Sequence, residues 1–119
     1  MIPNDEPIIY IDANPKETCI WPSNSFLPIR EPITSIITHN EAEWIALKRA
    51  LYYIDTYSFV RILSDSELVV RQFNGEYKIN LPTLKNRKIE CEQIIANRGL
   101  DVVVQWIPRE QNRAGRILG

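Results

Sequence analysis

Two hydrophobic periods divide the chain. In the first third, short apolar and β-branched runs alternate with proline-marked breaks. PIIYID ends at Asp12, ANPK turns the chain, and ETCIW follows and stops at Pro22. Such runs bounded by turn residues predict strands. SNSFLPIREP predicts a loop, and ITSIIT (residues 33–38) a third strand that completes an antiparallel meander. The period then lengthens. In NEAEWIALKRALYYID, Leu47, Ala50, Leu51 and Ile54 fall on one helical stripe, and Asn40 with Glu43 has the spacing of a capping box. SFVRIL predicts a fourth strand, SELVVRQF a short helix that ends in the turn NGEY, and DVVVQWIP a fifth strand. LPTLKNRKIECEQIIANRG predicts a longer helix, capped by Asn80, with Leu81, Leu84, Cys91, Ile94 and Ile95 inward and Gly99 as its stop. REQNRAGRILG reads as the opening of a last helix.

The order βββαβααβα predicts an α/β fold: a five-stranded mixed sheet, built from a three-stranded antiparallel meander plus two parallel strands, with helices on both faces. The later strands return through helices and so should run parallel to strand one. No repeat, low-complexity tract or linker interrupts the pattern, so residues 1–119 are expected to form a single domain.

Composition adds exclusions. The chain is 45% hydrophobic and 24% charged, the mix of a soluble globular protein. No apolar stretch approaches a membrane span, and MIPNDEPIIYIDANPK has no basic region ahead of an apolar core, so neither membrane nor signal peptide is expected. Without a CxxC pair, Cys19 and Cys91 read as reduced, buried thiols. A monomeric cytoplasmic protein is expected. The net charge of −1 names no partner, but its distribution is uneven. Residues 1–47 carry seven acidic and two basic side chains, and residues 48–119 carry eight and twelve. Such polarity suits a metal site beside a polyanion-binding surface. Lys85, Arg87 and Lys88 lie along the long helix, and Lys85 and Lys88 share a face open to a polyanion or to solvent.

Three carboxylates change the picture more. Asp12 closes strand one and Asp65 closes strand four, at the carboxyl ends where open α/β sheets place their sites. Glu43 lies four residues before Leu47 on the inward helical stripe. Each has a local alternative: an Asx-turn for Asp12, the capping box for Glu43, a helix cap for Asp65. Brought together with no evident Lys or Arg among them, the acids would raise one another's pKa, and the inward glutamate would need a cation. A hard divalent ion, Mg²⁺ or Mn²⁺, removes the conflict. Two such ions about 3.5–4 Å apart can activate a water and stabilise a leaving oxygen in phosphodiester hydrolysis.

IIYIDAN, THNEAEWIALKRAL, SDSELVVRQFNGEYK and WIPREQN resemble, in order, the motifs of type 1 ribonuclease H, most closely its short prokaryotic branch without the basic protrusion. The resemblance spans nearly the whole chain. It implies the ribonuclease H-like sheet and cleavage of the RNA strand of an RNA–DNA hybrid, leaving 3′-hydroxyl and 5′-phosphate ends. It matches Asp12, Glu43 and Asp65 to three of the family's four metal-binding carboxylates, and puts Arg109 near the scissile phosphate as a catalytic residue. Asn14, Thr38, His39, Asn40 and Glu67 become contacts to the 2′-hydroxyls of the hybrid, with Lys85 and Lys88 on the DNA strand. His39 stands where asparagine is common, Glu67 where glutamine often reaches the minor groove, and Trp106 near a position that holds histidine in some relatives. The family tail N-x-x-A-D-x-L-A reads NRAGRILG here, with Gly115 in the alanine place and Arg116 in the aspartate place. Three explanations stay open: an acid beyond Gly119, Glu110 as substitute, or a site that binds metal weakly and cuts slowly or not at all. The last leads to an impaired nucleic-acid-binding module, and the fold alone also allows a DNA nuclease or resolvase.

Overall fold

The computed structural model describes residues 7–118. The absence of a leader was read largely from residues 1–6, which lie outside the described residues, as does Gly119. The elements are β1 (Ile8–Asn14), β2 (Glu17–Pro22), β3 (Ile29–Pro32), α1 (His39–Tyr53), β4 (Phe59–Ser64), α2 (Glu67–Phe73), α3 (Pro82–Arg98), β5 (Asp101–Trp106), a 3-10 turn (Arg109–Gln111) and α4 (Arg113–Leu118). The strands form one five-stranded sheet in the order β3-β2-β1-β4-β5. The first three are antiparallel, while β4 runs parallel to β1 and β5 parallel to β4. This is the expected mixed sheet. Among the described residues, no helix is long and apolar enough to cross a membrane.

Alternation along β1 sends Ile9, Ile11 and Ala13 into the core, where they meet Leu47, Ala50 and Leu51 from the predicted stripe of α1. Leu84, Cys91 and Ile94 bring α3 onto the same core. Glu41 on α1 pairs with Arg87 on α3 at 2.9 Å, and Lys48 on α1 with Glu90 on α3 at 3.1 Å, so the two helices are also clasped at their rim. The opposite face of β1 carries Tyr10, and Arg113 of α4 lies 5.3 Å over its ring. Helices therefore cover both faces. Cys19 and Cys91 are free and buried as expected, and burial pushes their thiols up to about 11 and about 12. Gly99 ends α3 in the left-handed region at φ 63°, as its sequence position predicts.

Several local expectations are corrected. The third strand is Ile29–Pro32, not residues 33–38. Pairing of Ile20 with Ile29 and Glu17 with Pro32 closes the meander early. Residues 33–38 then bridge the sheet edge to α1, with Ile33 and Ile37 packed against the core from a loop, so tertiary closure overrides their β-branched composition. Arg49 of α1 donates to the Glu31 and Pro32 carbonyls, each at 3.1 Å, and covers that edge. Strand β1 runs two residues past Asp12. The turn is set by Asn14, whose Oδ1 accepts from the amides of Lys16 and Glu17 at 2.8 and 3.0 Å. Helix α1 starts a residue before Asn40, and its cap is Thr38, whose Oγ1 accepts from Glu41 N at 3.2 Å. The Asn40–Glu43 capping box therefore does not form. For α3 the cap position is Leu81 rather than Asn80, without a side-chain cap bond. Pro82 sets the first turn instead, and Leu81 is exposed rather than inward. The last helix begins as a 3-10 turn, breaks at Asn112 and resumes as α4.

Candidate metal centre

Parallel pairing places Ile11 of β1 beside Ser64 of β4, so the next residues lie side by side: Asp65 just past the end of β4, and Asp12 two residues before the end of β1. From the first turns of α1, Glu43 points inward to meet them. One carboxylate oxygen of each acid lies within 4.8 Å of the others. Asp12 and Glu43 are almost completely buried, at 2% and 3% exposure. Burial, reinforced by the charges of Asp12 and Asp65, pushes the Glu43 carboxyl up to about 9. Burial and then Asp65 also raise Asp12, against the lowering effect of Arg109. Glu43 Oε1 has no hydrogen-bond partner. A buried carboxylate oxygen without a partner is costly. A divalent cation fits this donor set, because it meets hard oxygens from three directions and satisfies the one left bare.

Local bonds hold Asp65 in place. Asn112 is fully buried, and its Nδ2 donates to Ile11 O and to Asp65 Oδ2, both at 2.9 Å. Its Oδ1 accepts from Ala114 N at 3.1 Å, so one amide joins β1, Asp65 and the start of α4. Trp106 donates its indole N–H to the Asp65 carbonyl at 3.2 Å. Ser64 Oγ accepts from Ser66 N at 3.0 Å, and Ser66 rather than Asp65 caps α2. Asp65 is thus freed from capping and aimed at the cluster. Neither the Asn112 bridge nor the Trp106 contact is encoded in the periodicity or spacing of the sequence.

The expectation of no basic group among the acids is corrected. Arg109 Nη1 lies 3.2 and 3.4 Å from the Asp12 oxygens and 3.3 and 3.5 Å from those of Asp65. Its Nη2 donates to Gly115 O at 3.3 Å. Arg116 points elsewhere, donating to Glu110 O at 3.1 Å. Glu110 is exposed and does not belong to the cluster of acids.

The remaining predicted residues flank this centre in different ways. Asn14 lies two residues beyond Asp12, with its Oδ1 committed to the hairpin turn. Thr38, His39 and Asn40 are exposed at the amino end of α1, in the turn before Glu43. Glu67 opens α2 two residues beyond Asp65 and pairs with Arg71 at 3.6 Å. On α3, Lys85 is exposed, whereas Lys88 Nζ donates to Gln72 O at 3.0 Å and is tied to α2. Arg87 is engaged by Glu41 and Glu90.

The sheet order, with acids leaving β1 and β4 side by side, defines a protein of the ribonuclease H-like superfamily. A family model described as reverse transcriptase-like matches residues 24–118. LC11-RNase H1, solved in complex with an RNA/DNA hybrid, is 30% identical, with a TM-score of 0.75 over 96% of this chain and 100% of that one. A second structure of LC11-RNase H1, a protein isolated from compost, is 32% identical, with a TM-score of 0.70 over 95% of this chain and 92% of that one. RNase H1 from Halobacterium salinarum shares the fold at 20% identity, with a TM-score of 0.75 over 95% of this chain and 93% of that one. The chain belongs to the type 1 ribonuclease H family.

Proposed function

We propose that this chain is a divalent-metal-dependent endonuclease that hydrolyses the RNA strand of RNA–DNA hybrids. The carrying observation is the convergence of Asp12, Glu43 and Asp65, with Glu43 Oε1 buried and unpartnered. These three carboxylates would hold Mg²⁺ or Mn²⁺, as two ions in the working complex. Bound there, the ions would lower the pKa of an attacking water and stabilise the departing 3′-oxygen, leaving a 5′-phosphate. The chain's own groups orient the reaction. Asn112 and Trp106 fix Asp65 from its side chain and from its carbonyl. Arg109, half-exposed beside the acids, is placed to meet the scissile phosphate. Asn14, Thr38, His39, Asn40 and Glu67 border the acids along the chain and read 2′-hydroxyls and sugar shape rather than sequence. Lys85 supplies a phosphate contact on α3. Lys88 does so only by releasing Gln72 O. The hybrid-bound relative at 30% identity supports this substrate. Residues 1–119 act as a single monomeric domain in the cytoplasm.

A second reading, a module that binds hybrids without cutting them, is favoured by one observation: an arginine, not a fourth carboxylate, faces the acids. The two separate on a hybrid with labelled RNA, incubated with Mg²⁺ or Mn²⁺. The nuclease cuts the RNA strand, and Asp65→Asn stops cutting while leaving the unfolding transition in place. Undiminished cutting by Asp65→Asn removes Asp65 from the mechanism. A wild-type protein that retains the hybrid without products is the binding module.

A further inference from the structure

We infer that Arg109 is a resident cation of the carboxylate centre, seated there because residue 115 is glycine, and that a divalent ion must displace it. The inference rests on the reading of the acids as a metal site.

Three observations carry it. First, the guanidinium occupies ground that a metal ion would need: Arg109 Nη1 lies 3.2 Å from Asp12 Oδ2 and 3.3 Å from Asp65 Oδ2. These contacts are longer than the roughly 2.7–2.9 Å of a tight charge-assisted pair, and one nitrogen is spread over four oxygens. Arg109 is therefore held loosely, and with its side chain 54% exposed it has a path outward.

Second, the seat depends on a missing side chain. A Cβ on Gly115 would stand 3.3 Å from Asp65 Oδ2 and 3.4 Å from both Cζ and Nη1 of Arg109. The Gly115 carbonyl, in turn, accepts from Arg109 Nη2. Glycine at 115 both makes room for the guanidinium and anchors its far edge. Arg116 cannot take this part, because its guanidinium is turned onto the Glu110 carbonyl.

Third, the arginine partners only part of the centre. It reaches Asp12 and Asp65 but leaves Glu43 Oε1 without a partner. A divalent ion recruits that third oxygen as well as the other two, which is the differential interaction that would eject the monovalent guanidinium. Arg109 thus lowers metal affinity in the free protein.

The test is Mn²⁺ binding to the full chain at pH 8, followed by electron paramagnetic resonance of free Mn²⁺, a readout independent of cleavage. Wild type, Arg109→Gln, Gly115→Ala and Asp65→Asn are compared. Loss of one charge-assisted competitor predicts that Arg109→Gln binds Mn²⁺ about tenfold more tightly than wild type. Gly115→Ala keeps every charge but crowds both the guanidinium and Asp65 Oδ2, and loosening of the competitor predicts tighter binding by a smaller factor than in Arg109→Gln. Asp65→Asn loses affinity. Equal affinity of wild type and Arg109→Gln, with Asp65→Asn impaired, overturns the displacement while leaving the metal reading intact. A Gly115→Ala variant that matches wild type removes the glycine seat. Absence of Mn²⁺ binding in every protein, Arg109→Gln included, overturns the inference together with the metal reading.

Discussion

Glu43 offers a test that needs neither substrate nor metal. Its carboxyl is buried beside two further acids and pushed from the ordinary 4.5 up to about 9. Between those values the folded protein keeps a proton that the unfolded chain releases. Stability should therefore fall as pH rises: Glu43's contribution is fully present below about 4.5 and is lost on the way to about 9. One proton per molecule corresponds to about 1.4 kcal/mol per pH unit, or about 2–3 kcal/mol between pH 6 and pH 8. The Asp12 carboxyl is raised as well and acts in the same sense, so the reference is the Glu43→Gln protein measured at the same pH. The lowered carboxyls of Glu17 and Glu90 titrate well below this window, and the raised thiols of Cys19 and Cys91 lie above it. Glu43→Gln keeps the shape, removes the titration, and lets the new amide donate to the neighbouring carboxylates. Urea unfolding followed by tryptophan fluorescence, in EDTA at pH 6, 7 and 8, should show the wild type losing stability across the series. The variant should stay nearly level and be the more stable protein at pH 8. Parallel pH slopes for the two proteins would refute the burial and charge repulsion assigned to Glu43.

Other expectations follow from single contacts. Asn112→Ala strips the donor from Ile11 O and Asp65 and should cost about 2–4 kcal/mol in urea unfolding, with a loss of hybrid cleavage. Unchanged stability would contradict the joining role of that amide. Gly99→Ala puts a Cβ at φ 63° and 2.5 Å from Tyr57 Cδ1. It should destabilise by about 1–2 kcal/mol, with part recovered when Tyr57→Ala is added, because the exposed ring is half of the conflict. Lys85→Gln should weaken hybrid binding and reduce the slope of log affinity against log salt by about one, and an unaltered slope would take Lys85 off the phosphates.

Much of this was legible along the chain because the signals are local. The alternation in IIYID and the stripe from Leu47 to Ile54 each report a buried face, and Gly99 marks a left-handed stop. Asp12 and Asp65 could be paired because parallel strands bring their carboxyl ends together once the strand order is known. Propensity misled where closure decided: ITSIIT has β-branched composition, yet it is needed as a bridge after the meander pairs at Ile29–Pro32. Caps also moved. Thr38 offers its hydroxyl two residues ahead of Asn40's expected role, which leaves Glu43 free to turn into the cluster. Least legible were the contacts that complete the centre. Arg109 meets Asp12 across 97 residues of sequence, and Asn112 reaches Ile11 across 101. Neither periodicity nor spacing encodes such a meeting.

The central claim is that this acidic centre serves hydrolysis of RNA paired with DNA. The most direct measurement presents the protein with RNA–DNA, RNA–RNA and DNA–DNA duplexes of one sequence, each with Mg²⁺ or Mn²⁺, and resolves the labelled strands. Products are expected from the RNA strand of the hybrid alone, ending in 3′-hydroxyl and 5′-phosphate groups. Intact strands in all three duplexes, or cutting of the DNA–DNA duplex, would contradict that claim.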